Sequence, residues 1–385
     1  MRPTFLLFHV PDVGEAEIES VATVLRSGWM TSGPRVEQFE TEFAKRVGAA
    51  HAVAVNSGTA ALHLALLAAG VGSGDEVIVP TMTFAATSEA VLHVGARPVL
   101  VDCERATLNV DPLQVERAIT SRTKAIIPVH FGGHPCAIDE ILRMAQDRNL
   151  KVIEDAAHCF PARHRGRTVG TLGDITCFSF YATKTLTTGE GGMAVTASLE
   201  CAERLRLLRL HGIRKNGLND SVDDSWEYEI IQAGFKYNLT DIAAAIGLEQ
   251  LKKCDKAWDA RRKIANQYNE GFADFSEIQT PVSKPVDEPS WHLYVIQLDL
   301  DRLRIDRKGF IEALRRQNIG SSVHFIPLHL HALYRSKLGC RPEDFPAATF
   351  VANRILSLPI YPQLTQRDVG DVIEAVRGAV IRGRR

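Results

Sequence analysis

From residue 50 to residue 196, short apolar runs rich in β-branched residues alternate with longer stretches of helical period. That alternation predicts an α/β sheet. Seven runs read as strands, at 51–57, 76–80, 97–102, 123–130, 151–155, 174–180 and 191–196. Between them, 59–69, 111–120 and 138–149 repeat apolar residues at helical spacing and are long enough to carry the chain between parallel strands. Only residues 181–190 join the last two runs. That is too short for a crossover helix, so this pair is expected to be antiparallel in an otherwise mostly parallel, seven-stranded sheet flanked by helices.

Beyond residue 196 the pattern changes. A helix rich in Leu and Arg runs to about residue 210, and the polar stretch 214–229, acidic in its second half, predicts a mobile surface loop. A second helical block over 239–275, with a break near Asp255, reads as the bridge to a smaller C-terminal domain. There 293–300 alternates like a strand and 307–318 reads as a helix. Residues 320–324 then lead into a Pro- and His-rich run at 326–331, and a helix from 366 to about 381 closes the chain. The expected layout is an N-terminal arm over 1–14, a large α/β domain over 15–255 and a small α+β domain over 256–385. At about 150 residues per domain, 385 residues leave room for both.

Composition removes several classes of function. With 45 basic and 46 acidic residues the chain lacks the electrostatic footprint of a nucleic-acid binder. The apolar group at 5–8 is cut short by Pro11 and Asp12, and no run reaches bilayer length, so no membrane association is expected and the chain reads as cytoplasmic. Seven cysteines without paired C-x-x-C spacing predict reduced thiols, and no metal site is expected.

In an open α/β sheet, ligands gather beyond the carboxyl ends of the strands. The first run leads into Asn56-Ser57-Gly58-Thr59-Ala60, where small residues open a helix and backbone amides can close on a phosphate. Taken alone, it is equally an ordinary N-cap by Ser57 or Thr59. The fifth run ends in Glu154-Asp155-Ala156-Ala157-His158, which sets at least one carboxylate at the mouth of an apolar strand. That charge needs a partner, and a cationic ring nitrogen, an arginine or backbone amides would each serve. The sixth run continues through Ser179 into Tyr181-Ala182-Thr183-Lys184 and the glycine-rich 188–192. A lysine desolvated there is a nucleophile toward an aldehyde; otherwise it is a solvated loop charge. After the second run, Phe84 is either core or a ring that covers a flat cofactor. A phosphate cradle, a covering aromatic, a carboxylate for a pyridinium and an amine, all at strand ends of one sheet, together specify pyridoxal 5′-phosphate.

These segments resemble the DegT/DnrJ/EryC/StrS family of sugar aminotransferases over essentially the whole chain. The resemblance rests on Ser27 to Pro34, Ser57 to Ala60, Thr81 to Thr87, Glu154 to His158, Phe178 to Lys184 with Gly189 to Gly192, Gly234 to Asp241, and Val323 to His329. The form Lys236-Tyr237-Asn238-Leu239-Thr240-Asp241, with His158 where many members carry glutamine, is most similar to the aminoarabinose-forming branch. The sequence departs from the family at Cys159-Phe160-Pro161-Ala162, where a glycine is usual near Pro161, and this bears on the local substrate-side loop.

The resemblance implies the pyridoxal-phosphate-dependent transferase fold type I. It also implies that Lys184 binds the cofactor aldehyde and shuttles the proton, while Asp155 pairs with the ring nitrogen and His158 lies against the ring or its phenolic oxygen. Thr59, Ala60 and Ser179 would hold the phosphate, and Phe84 would stack on the ring. Asn238 would reach the phosphate in a neighbouring subunit, which implies a homodimer with shared active sites. Trp29, Glu190, His324 and His329 would line the substrate cleft. The implied reaction is a ping-pong transfer from an amino acid, with glutamate yielding 2-oxoglutarate, through the pyridoxamine phosphate form to a nucleotide-linked keto sugar, a 4-keto-6-deoxyhexose or related 4-keto sugar. The rivals are transfer to a keto cyclitol and sugar dehydration, the latter disfavoured because such relatives carry histidine in place of Lys184.

Overall fold

The computed structural model describes residues 2–215 and 228–385. Helices α1 (Glu15–Ser27) and α2 (Pro34–Val47) precede the sheet. The chain then runs β1 (His51–Val55), α3 (Gly58–Ala68), β2 (Glu76–Pro80), α4 (Ala85–His93), β3 (Arg97–Val101), α5 (Pro112–Ala118), β4 (Thr123–Ile126), α6 (Ile138–Asp147) and β5 (Lys151–Asp155). A short antiparallel pair, β6 (Arg163–His164) and β7 (Arg167–Thr168), leads into β8 (Ile175–Ser179), β9 (Gly192–Thr196) and α7 (Leu199–Leu208). Next come β10 (Ile213–Lys215), β11 (Tyr228–Ile230) and the long α8 (Asp241–Phe272). The remainder is β12 (Ile278–Gln279), β13 (Asp287–Glu288), β14 (Tyr294–Leu298), α9 (Arg307–Arg316), α10 (Ala332–Leu338), α11 (Pro346–Ala352), β15 (Ile355–Leu358) and α12 (Gln366–Gly383).

All seven expected strands join one sheet, in the order β1-β9-β8-β5-β4-β2-β3. Neighbours from β8 to β3 are parallel, whereas β9 runs antiparallel to both β8 and β1. The short β8–β9 connection therefore gives the predicted reversal, and every strand except β9 ends at the same edge. Both faces are covered. One carries the aromatic cluster of α2 and β8, in which Phe43 meets Phe160, Phe178 and Phe180 at 4.9, 5.2 and 5.4 Å. The other carries the alanine- and leucine-rich α3, buried over residues 60–66. A further core, with Tyr268, Phe272, Tyr294 and Phe310, fills the C-terminal part.

Two expectations about elements need correction, and a third falls largely outside the described residues. The fourth strand was expected over 123–130 but stops at Ile126. Pro128 has no amide to give a ladder, and its carbonyl instead accepts from Asp155 N at 2.9 Å. The break expected near Asp255 is absent, and α8 runs unbroken for 32 residues. The polar residues there are good helix formers, Cys254 and Trp258 stay buried one turn apart, and Arg46 pairs with Asp255. Of the expected loop over 214–229, residues 216–227 lie outside the described residues, and its two ends pair as the antiparallel β10 and β11.

The Ser27 to Pro34 and Gly234 to Asp241 segments meet in space. Buried Asp241 accepts from Gly33 N at 2.8 Å, Val36 N at 3.0 Å and Arg35 N at 3.2 Å, and so caps α2 across the gap in sequence. A Cβ on Gly33 would lie 2.1 Å from the Trp29 indole nitrogen and 3.0 Å from Asp241 Oδ2, so glycine lets both side chains pack there as they do. Asp241→Ala is expected to cost about 2 kcal/mol of stability by stranding these amides. Urea denaturation should show a lower midpoint at unchanged slope.

Candidate active site

The carboxyl ends of β1, β2, β5 and β8 converge on one cavity of about 480 Å³, closed from the C-terminal side by His292, His324 and Phe325. Of the residues singled out in the sequence, Thr59, Phe84, Asp155, His158, Ser179, Lys184, Glu190 and His324 line it.

Strand alternation separates the two adjacent carboxylates. Glu154 points away from the cavity and is buried, accepting from Thr176 Oγ1 at 2.7 Å and Gly173 N at 2.8 Å and pairing with His130 Nε2 at 2.9 Å. Asp155 faces the cavity, accepting from Thr87 Oγ1 at 2.8 Å and Ala157 N at 3.1 Å. Burial pushes the Asp155 carboxyl above its ordinary value, against these two bonds and the nearby Lys184. It is thus a carboxylate short of one full positive partner.

Lys184 follows β8 in a turn closed by its own amide donating to Tyr181 O at 2.8 Å. Burial lowers its amine from 10.5 to about 8, and Asp155 opposes that fall. A substantial neutral fraction therefore exists near physiological pH, as a nucleophilic lysine requires. In the cofactor-free protein, acylation of Lys184 should titrate with a midpoint near 8, below the ordinary 10.5. Pulse labelling with acetic anhydride across pH, read by mass spectrometry, measures this. A Lys184 midpoint at the ordinary 10.5 would contradict the desolvated setting.

Three imidazoles surround the amine, and all are held neutral. Burial first, then the charge of Lys184, lowers His324 to about 4 and His158 well below its ordinary value. Burial and neighbouring cations do the same to His292. His158 Nδ1 accepts from Gly132 N at 3.3 Å, which leaves Nε2 to carry the ring proton. Phe325 stacks on His158 at 5.7 Å, and Phe84, 60% exposed, leans on Phe325 at the same separation.

The turn into α3 packs closely on its neighbours. A Cβ on Gly58 would lie 2.9 Å from that of Ser179, and one on Gly192 would lie 2.4 Å from Ser57 O. Glycine at these positions lets the helix start approach β8, with the amides of Gly58 and Thr59 left over at its first turn. Ala60 departs from expectation, because its amide donates to Ser57 Oγ at 3.0 Å and the residue does not line the cavity. Gly58, Thr59 and Ser179 line the cavity at this helix start.

Other expected residues lie elsewhere. His329 is fully buried, bonded to Thr81 Oγ1 at 2.8 Å and Thr349 Oγ1 at 2.9 Å and stacked on Phe345. It ties β2 to the C-terminal part and is no cleft residue. Trp29 is 56% exposed, with its indole donating to Ser32 O at 3.0 Å, and Asn238 donates to Ser32 Oγ at 2.6 Å. Neither lines this chain's cavity. The Cys159 to Ala162 segment is buried in the aromatic core, so the departure at Pro161 does not face the substrate side. Conversely Thr87, His292 and Phe325 belong to the site and were not singled out. Thr87 had one sequence signal, a hydroxyl one helical turn after Thr83, to which it bonds at 2.7 Å.

The donor set fits pyridoxal phosphate, with a helix start that tolerates no side chain at Gly58, a buried under-compensated carboxylate and a partly neutral amine. Among the described residues no cluster suited to a metal ion occurs, and no helix is long and apolar enough to cross a membrane.

Comparison with known proteins agrees. The chain is 49% identical over 385 residues to the uncharacterized protein MJ1066 of Methanocaldococcus jannaschii, covering 100% of both. It is 48% identical over 381 residues to the spore coat polysaccharide biosynthesis protein SpsC of Bacillus subtilis, covering 98% of both. Spr1654 of Streptococcus pneumoniae, assigned as a sugar aminotransferase, superposes in its PMP form with a TM-score of 0.93 at 34% identity, covering 98% of this chain and 99% of that one. Its PLP form superposes with a TM-score of 0.92. The profile of the DegT/DnrJ/EryC1/StrS aminotransferase family matches residues 11–377, and the chain belongs to that family, with pyridoxal phosphate as its cofactor.

Proposed function

We propose that this aminotransferase takes the amino group of glutamate, releasing 2-oxoglutarate, and delivers it to a nucleotide-linked keto sugar, a 4-keto-6-deoxyhexose or a related 4-keto sugar. The observation that carries the reading is the meeting of Lys184 and Asp155 in one cavity, an amine with a depressed proton affinity beside a buried carboxylate. The sugar assignment draws support from SpsC, named for polysaccharide biosynthesis, and from the sugar aminotransferase assignment of Spr1654.

When bound, pyridoxal phosphate supplies an aldehyde for the amine and an electron-withdrawing ring, and it alternates with its pyridoxamine form between the two half-reactions. Asp155 would hold the charge of the ring nitrogen. Lys184 would hold the cofactor at its aldehyde carbon through Nζ, and, displaced from there by the incoming amine, Nζ would carry the proton from the donor's α-carbon to the carbon on the other side of the amine nitrogen. Gly58, Thr59 and Ser179 would hold the phosphate. His158 would offer Nε2–H as a neutral donor to the phenolic oxygen, and Phe84 with Phe325 would exclude water from one side. Glu190 and His324 are the cavity residues assigned to substrate.

The functional unit in this proposal is a homodimer. Exposed Trp29 and Met30 lie close in sequence to Ser32, the partner of Asn238, and a second copy would cover them and receive Asn238 at its own phosphate.

A panel of nucleotide-linked 3- and 4-keto sugars and keto cyclitols, each assayed with glutamate and glutamine, tests the acceptor. Turnover with a 4-keto sugar at a kcat/KM at least about tenfold above any cyclitol is expected. Turnover confined to a cyclitol would overturn the sugar assignment and leave aminotransfer standing.

A further inference from the structure

Arg261, in the middle of α8, is 1% exposed. Among the described residues no carboxylate pairs with it, its Nε has no hydrogen-bond partner, and burial lowers it to about 10, so it stays charged. A buried cation without a counter-ion is costly, and its retention calls for a reason. Its bonds run to backbone. One terminal nitrogen donates to Ile360 O at 2.7 Å, Trp291 O at 3.3 Å and His292 O at 3.5 Å. Trp291 has φ +54, a left-handed conformation uncommon for a bulky residue, at the turn that throws the next side chain into the cavity.

That next side chain is His292. Its ring centroid lies 4.5 Å from that of His158. The same segment is knitted to the loop that feeds His158, with Ser290 N donating to Gly133 O at 2.9 Å, Ser290 Oγ to His158 O at 2.6 Å and Leu293 N to Gly132 O at 3.0 Å. Gly132 N in turn donates to His158 Nδ1. The chargeable groups facing His292 are His158, Lys184, Arg261 and His324, each cationic when protonated, so nothing around it favours an imidazolium.

We propose that Arg261 is a positioning residue of the cofactor site. Through the carbonyls of Trp291 and His292 it seats the His292 ring against His158 and so fixes the orientation and tautomer of His158. The inference rests on reading His158 as a cofactor contact, and its test is separable from that reading.

The test uses cofactor-free protein labelled with ¹⁵N-histidine. In the unaltered protein His158 is expected as a single Nε2–H tautomer. In Arg261→Met, His158 should show mixed tautomers and take up its proton at roughly tenfold lower proton concentration. A folded variant with unchanged His158 signals overturns the proposal. Should Arg261→Met fail to fold, His292→Gln carries the test, because it keeps the carbonyl bonds and removes only the ring. The same disturbance at His158 is expected there, and none would overturn the proposal. The underlying reading is judged separately, by whether His158→Ala weakens pyridoxal phosphate binding.

Discussion

Lys184→Ala is expected to lower transamination by at least about 10³-fold, because the proposed mechanism gives one atom both the bond to the cofactor aldehyde and the proton transfer between carbons. Lys184→Arg should fail as badly, since a guanidinium stays protonated and can neither add to a carbonyl nor accept the proton. Fold and stability should survive either change. The Lys184 amine is buried with Asp155 as the opposite charge acting on it, and among the described residues it makes no hydrogen bond or ion pair. The informative measurement is a single half-reaction with glutamate followed by the change in cofactor absorbance, alongside a thermal melt. An undiminished rate in a folded Lys184→Ala protein would remove the basis of the proposed mechanism.

The second large effect is expected at Asp155. Asp155→Asn keeps the size and can keep much of the contact with Thr87 and Ala157, but removes the charge assigned to the ring nitrogen. A loss of about 10²- to 10³-fold in kcat is expected, the scale seen when a single electrostatic stabiliser is removed from a dry site. Cofactor affinity should fall with it. The substitution also has a signature that needs no cofactor. Asp155 favours the protonated form of Lys184, so neutralising it should move the acylation midpoint of Lys184 below about 8. A midpoint that stays in place, together with unchanged kcat, would mean that Asp155 is a structural carboxylate satisfied by its two donors.

The large sheet was legible because its strands are short, apolar and separated by helices of clear period, and because 181–190 is too short for a crossover. Strand order was not, since it depends on which faces pack, and nothing local in β4 says that it lies between β2 and β5. Asp155 was visible as a charge ending an apolar strand, but which of Glu154 and Asp155 met the cavity depended on the pleat. His324, just before the Pro- and His-rich run, and His329, within it, read alike. Only the reach of Thr81 and Thr349 to His329 assigns it to structure. Thr87 and Phe325 escaped notice because their partners are far off in sequence; Thr87 serves a carboxylate 68 residues away. Ala60, which the resemblance places at the phosphate, has its amide on Ser57 Oγ, one of the cap residues recognised.

The unbroken α8 has a consequence for how the molecule comes apart. Its first half lays Ala244, Leu248 and Cys254 into the core over the sheet, and its second half lays Ile264, Ala265, Tyr268 and Phe272 into the C-terminal core. At 1.5 Å per residue this is a rod of about 48 Å with no joint. Melting either core would strip one end of the rod of its tertiary support, and an isolated helical half is barely stable in water. The loss would then spread along the backbone to the other core, so heat should meet one cooperative body where a jointed linker would have offered two.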